Sequence, residues 1–223
     1  MRIAVPQFPG TNCEFDTKYA FEHLGHDVRI VWHEEERLPA DIDLIVVPGG
    51  FSYGDYLRSG AIARFSPIMK AIKAYADNGG YVLGICNGFQ ILLESHMLPG
   101  AMKRNENLHF VSKHQYLKVE NCDNRFLRKC KEGEILNIPI AHAEGNYFIE
   151  EDGLKKLYDN GQILLTYCDE KGNPDNPNGS VDNIAGICNE ARNVFGLMPH
   201  PERAVETVLG SDDGIRMLEG FLS

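Results

Sequence analysis

Residues 81–95 read Tyr81-Val82-Leu83-Gly84-Ile85-Cys86-Asn87-Gly88-Phe89-Gln90-Ile91-Leu92-Leu93-Glu94-Ser95. An apolar run of strand length meets an amphipathic helical pattern with a single cysteine at the junction. Gly84-Ile85-Cys86-Asn87-Gly88 has the form G-x-C-x-G, the thiol counterpart of the G-x-S-x-G nucleophile elbow. A sharp strand-to-helix turn strains the residue at its apex, and flanking glycines let the chain accommodate it. The side chain then projects at the top of a sheet, with the dipole of the helix starting at Asn87 aimed at the sulfur and favouring thiolate. A buried, inert thiol is the commonest fate of a free cysteine, but the two glycines and the junction favour a nucleophile.

Upstream, the same alternation repeats. Residues 2–6 form a short apolar strand, and 14–24 a helix with Tyr19, Ala20, Phe21 and Leu24 inward and Gly25 as its stop. Residues 28–32 form a strand. Residues 43–47 form another, whose continuous apolar run suits burial on both faces of a parallel sheet. Ser66 as N-cap and Pro67 in the first turn open a helix with Ile68, Ala71, Ile72 and Tyr75 inward, ended by Asn78-Gly79-Gly80. Downstream, strands are expected at 135–140, 162–168, 184–188 and 193–198, some antiparallel, with a turn-rich loop at 173–180 and a closing helix at 212–222. Repeated strand-helix units predict an α/β fold: an open, mostly parallel sheet with helices on both faces, in one domain spanning 1–223. In such sheets ligands bind beyond the carboxyl ends of the strands.

Composition narrows the function. The chain has 223 residues, 43% hydrophobic and 24% charged, an ordinary globular balance. It carries 22 Lys+Arg against 32 Asp+Glu, a net charge of −10 that argues against a nucleic-acid partner. No apolar run reaches membrane-spanning length, and the first residues read as a strand and not as a secretory signal, so a cytoplasmic protein is expected. The six cysteines form no C-x-x-C pair, which argues for free thiols in a reducing compartment and against a metal centre.

A nucleophilic cysteine needs a base, and the base an orienter. Met198-Pro199-His200-Pro201-Glu202 follows a strand, and Pro201 favours an extended His200. Residues i and i+2 of an extended segment point the same way, so Glu202 can hold one imidazole nitrogen while the other faces the thiol. Acyl chemistry also needs oxyanion donors. The Asn87 N–H, directly after the nucleophile, is one, and the glycine-rich turn Pro48-Gly49-Gly50-Phe51, at the same sheet edge, offers a second. That turn matches neither the Walker pattern nor G-x-G-x-x-G. His23, His26 and His33 are expected at the surface, and His96, His109 and His114 show no metal-ligand spacing. His142, within Ala141-His142-Ala143-Glu144-Gly145-Asn146-Tyr147, either lines a pocket or supports the structure.

The elbow 84–90 and Pro199-His200-Pro201-Glu202 resemble the triad-type (class I) glutamine amidotransferases, whose fold is flavodoxin-like. Phe8-Pro9-Gly10-Thr11-Asn12-Cys13, the stretch 49–64, residues 141–147 and Asn176-Pro177-Asn178-Gly179-Ser180 are similar to the glutaminase subunits of phosphoribosylformylglycinamidine synthase. The blocks run from residue 8 to 203. The resemblance implies Cys86 as nucleophile, His200 as general base and acid, Glu202 as its orienter, and Gly50 and Asn87 as oxyanion donors. It places Gln90 on the substrate amide and Gly145 and Asn146 at the amino-acid end of L-glutamine. It implies no cofactor for glutamine hydrolysis, and as partners a synthetase subunit working with ATP and Mg and a small third subunit. Ala143, where Gly is frequent, and Glu14, where Asp is frequent, depart from the family pattern outside the triad. Two other readings stand beside this one: a stand-alone γ-glutamyl or peptide cysteine hydrolase of the same fold, and a non-catalytic flavodoxin-like binding module.

Overall fold

The computed structural model describes residues 1–222. Strands β1 (Arg2–Gln7), β2 (Asp27–Trp32), β3 (Leu44–Val47) and β4 (Tyr81–Ile85) alternate with helices α1 (Glu14–His23), α2 (Pro67–Asp77) and α3 (Asn87–Glu94). The second half adds β5 (Ala101–Lys103), β6 (Val111–Val119), β7 (Ile135–His142), β8 (Asn146–Phe148), α4 (Glu151–Asp159), β9 (Ile163–Cys168), β10 (Ile184–Cys188), β11 (Val194–Leu197) and α5 (Gly214–Leu218). A nine-stranded sheet has the order β2-β1-β3-β4-β11-β10-β9-β6-β7, and β5 and β8 pair separately. The first five strands in that order are parallel. The remaining four pair antiparallel.

The connection β1-α1-β2 runs one way along the sheet and β3-α2-β4 the other. Right-handed crossovers therefore put α1 and α2 on opposite faces, and the order reverses between β1 and β3. β3 and most of β1 and β4 are buried, as continuous apolar runs require. The antiparallel half curls back: the His200 N–H, just past β11, donates to the Pro139 carbonyl of the far-edge strand β7 at 2.8 Å. The tail closes the core with Phe221 against Phe126 and Phe195, ring centroids 5.5 and 5.6 Å away. Among the described residues no helix is long and apolar enough to cross a membrane.

Several local expectations need correction. Tyr19 is exposed, because α1 buries Glu14, Thr17, Ala20 and Phe21 instead. Ser66 stands at the N-cap of α2, but its hydroxyl pairs with the Tyr53 hydroxyl at 3.0 Å and not with a helix N–H. His33 is buried, its Nδ1 hydrogen-bonded to the Tyr53 hydroxyl at 3.0 Å. The closing helix is one short turn, α5, followed by a 3-10 turn. β5, β6, β8 and α4 are additions. β6 hides its period because Lys113, His114 and Lys118 interrupt the apolar residues, while only Gln115, Leu117 and Val119 face inward. α4 carries one fully buried apolar residue, Leu157.

Close backbone approach holds the elbow to the sheet. A Cβ on Gly88 would lie 1.9 Å from the Val47 carbonyl oxygen, whereas one on Gly25 would meet nothing within 4 Å. Gly88→Ala is expected to cost about 2–3 kcal/mol by overpacking. Gly25→Ala, at φ 85°, is expected to cost only about 1 kcal/mol from backbone strain. Urea melts of the two variants check this ordering, and equal losses would contradict it.

Candidate active site

Four turns at the carboxyl ends of the parallel strands converge. They are 8–13 after β1, 48–51 after β3, Cys86 after β4 and 198–202 after β11. Cys86 sits at φ 51°, ψ −107°, a strained conformation for a side-chain-bearing residue. Neither flanking glycine has positive φ. Their role is space: a Cβ on Gly84 would come within 2.6 Å of Leu92 and 2.8 Å of the Gly88 backbone. Cys86 is 5% exposed, and its thiol donates to the Ala141 carbonyl at 3.6 Å.

Gly49 is the hub. A Cβ there would lie 2.9 Å from His200 Cε1, 3.2 Å from Cys13 Sγ and 3.4 Å from Cys86 Cβ. The elbow and the His200 turn are thus brought together around a residue that must lack a side chain. His200 Nδ1 donates to Glu202 Oε1 at 2.6 Å, with both side chains buried. His200 Nε2 has no hydrogen-bond acceptor or donor among the described residues. Burial opposes a charged imidazole, but the Glu202 carboxylate and the Cys86 sulfur outweigh it and hold the His200 pKa above the ordinary range.

The expected oxyanion donors lie at the same edge. Gly50, at φ 135°, bridges to Thr11, and the Phe51 N–H donates to the Gly10 carbonyl at 3.1 Å. The 8–13 turn therefore braces the glycine turn. Among the described residues neither the Gly50 nor the Asn87 N–H has an internal acceptor. The Asn87 side chain accepts from the Ser52 N–H (3.1 Å) and donates to Gln90 Oε1 (2.8 Å). Gln90 in turn donates to the Glu144 carbonyl at 2.5 Å. Asp55, beside Asn87, is pushed up to about 6 by burial and by Glu144, against a lowering hydrogen bond with Ser59.

The 141–147 segment is fixed from behind. The Gly145 N–H donates to Asn105 Oδ1 (2.9 Å) and its carbonyl accepts from the Ser180 hydroxyl (3.0 Å). Asn146 lies half-buried at the start of β8, and an added Cβ on Gly179 would stand 2.9 Å from its amide nitrogen. His142 is buried, and its Nε2 accepts from the Asn178 amide at 3.0 Å. Burial, helped by nearby His200, lowers it to about 4, so it is a neutral supporting group near pH 7. The turn-rich loop is thus a clamp on this segment through Asn178 and Ser180. The sequence signal was the cluster of Asn and Ser residues itself. All six cysteines are free, and Cys13 lies against the triad, a placement its sequence context did not reveal.

Comparison with known proteins agrees with the fold. A family model described as a CobB/CobQ-like glutamine amidotransferase domain matches residues 1–213. A phosphoribosylformylglycinamidine synthase subunit PurQ from Sulfurimonas denitrificans is 66% identical, covering 100% of this chain and 99% of the relative. The subunit of that name from Campylobacter jejuni is 60% identical, covering 100% and 96%. A chain in the structure of PurLQS from Thermotoga maritima superimposes with a TM-score of 0.90 at 42% identity, covering 99% and 97%. The chain therefore belongs to the CobB/CobQ-like glutamine amidotransferase family, among the PurQ subunits of phosphoribosylformylglycinamidine synthase.

Proposed function

We propose that this chain is a single domain, 1–223, that hydrolyses L-glutamine to glutamate and ammonia through a thioester on Cys86. The observation that carries the reading is the convergence of Cys86, His200 and Glu202 around Gly49, with Glu202 bonded to His200 Nδ1 at 2.6 Å. That bond leaves Nε2 as the nitrogen that faces the chemistry. Thiolate Cys86 attacks the side-chain carbonyl of glutamine. Gly50 and Asn87 N–H groups receive the oxyanion, each worth about 3–4 kcal/mol of barrier. His200 Nε2 gives its proton to the leaving ammonia, then takes one from the water that opens the thioester. Gln90 holds the substrate amide, and Gly145 and Asn146 bound the amino-acid end. Gly145 spends both its backbone polar groups internally, so its contribution is shape.

The product ammonia passes to a separate synthetase subunit, which makes formylglycinamidine ribonucleotide from formylglycinamide ribonucleotide with ATP and Mg. A small third subunit completes the complex, in the cytoplasm. Support comes from the PurQ name of full-length relatives and from the PurLQS structure that contains the matching chain. The Cys86 thiol bonded to the Ala141 carbonyl, and the Gln90 amide tied to the Glu144 carbonyl, support a closed resting site that the partner opens.

Cys86→Ala is expected to lower glutamine-dependent synthesis by the reconstituted complex at least about 10,000-fold while sparing ammonia-dependent synthesis. Glutamate release by that variant would remove Cys86 as nucleophile. Glu202→Gln is expected to lower kcat about 100- to 10,000-fold. It should also move imidazole deprotonation to lower pH, because the raising carboxylate is gone. A pH–rate profile checks the sign. The isolated chain is expected to turn over glutamine at least about tenfold more slowly than the complex, as gated sites do. Equal rates would exclude the closed resting site.

A further inference from the structure

The triad turn ends on Arg203, a half-buried cation that the reaction above does not use. Its Nη2 donates to Cys13 Sγ at 3.1 Å, and its Nε donates to Asp16 Oδ2 at 3.0 Å. Cys13 caps α1 and Asp16 lies in its first turn. Side-chain atoms of Cys13, His200 and Glu202 lie within 4.8 Å of one another. Burial, then Glu202, raises the Cys13 pKa, so this sulfur is a neutral thiol. The neutral thiol thus touches the guanidinium and also lies within 4.8 Å of the catalytic carboxylate. The arrangement has a physical logic. A direct arginine–carboxylate fork would compete for the oxygen that orients His200. Bonded to the thiol, the cation leaves Glu202 Oε1 to the imidazole, while its field reaches the buried Oε2, which has no hydrogen-bond partner among the described residues.

We propose that Arg203, held by Cys13 and trimmed by Asp16, is a positioning residue that sets the protonation of the Cys86–His200 pair through space. Of the other ionisable groups facing the pair and this cation, Tyr167 on β9 is buried near Cys86, and burial raises its phenol and keeps it neutral. His142 on β7 stays neutral near pH 7, with its pKa lowered to about 4 by burial and His200. A cavity of about 470 Å³ behind Glu202 and Arg203 brings in Asp16, Tyr19, His114 and Glu206. The Tyr19 hydroxyl donates to Glu206 at 3.0 Å, which raises the phenol and keeps it neutral. His114 stands at the outer rim, so the variants are compared in a His114→Gln background.

The inference rests on the Cys86–His200–Glu202 reading, and one measurement separates the two. The full-length chain is alkylated with iodoacetamide across pH, and the rate at Cys86 is followed by peptide mass spectrometry. If the triad is right, the parent shows an acid limb well below the ordinary thiol range. If that limb is missing, the triad reading fails with the inference. If it is present, Arg203→Met is expected to raise its pH by about half to one unit, since a nearby cation stabilises thiolate and disfavours imidazolium. Arg203→Lys restores most of the shift. Asp16→Asn is expected to move the limb the opposite way, to lower pH, because the cation is then uncompensated. An unmoved limb, or shifts of the same sign, overturns the proposal. Should Arg203→Met fail to fold, the sign of the Asp16→Asn shift alone decides it.

Discussion

The site depends on one hydrogen bond buried where charge is costly. Glu202 and His200 are almost wholly removed from water, and a carboxylate there must be compensated. One oxygen is bonded to His200 Nδ1, and the other has no partner among the described residues. A residue selected for stability alone would not be left half-satisfied in this way. The cost is understandable if the imidazole must be charged, correctly oriented and free at Nε2. Replacing the pair by apolar groups could leave the fold as stable and the site inert.

The same trade between strain and geometry runs through the elbow. Cys86 occupies a backbone conformation that side chains rarely adopt. It persists because neighbours over-determine it. Gly88 lets α3 touch the Val47 carbonyl, and Gly84 lets the same helix turn lie on β4. Gly49 then leaves room for the imidazole, the elbow cysteine and Cys13 to share one point. These glycines specify contact distances, and the chemistry follows from them. The Cys13 thiol extends the contact outward by accepting from the Arg203 guanidinium at 3.1 Å.

The parallel half was legible because buried parallel strands are written as unbroken apolar runs, such as Leu44-Ile45-Val46-Val47. The convergence of Cys86, His200 and Glu202 was legible because the elbow and the His200 turn each follow a strand with a local signature: glycines around Cys86 and prolines around His200. The antiparallel half was less so. β6 mixes lysines and histidines into its outward face, and α4 buries too little to show a helical stripe. Its curl, which brings Pro139 to His200, is a long-range property that no window of sequence records. His33 was misplaced because its burial depends on Phe8, Trp32 and Tyr53, two of them distant in sequence. Cys13 and Arg203 were silent for the same reason: 190 residues separate the two partners of one contact.

The central claim, that Cys86 is the glutamine-directed nucleophile, is tested most directly with a chloroketone analogue of glutamine and mapping of the modified residue. The account predicts one adduct per chain, on Cys86, formed faster than with a chloroketone lacking the amino-acid head and suppressed by free L-glutamine. An adduct on any other cysteine, or labelling that ignores L-glutamine, would contradict it.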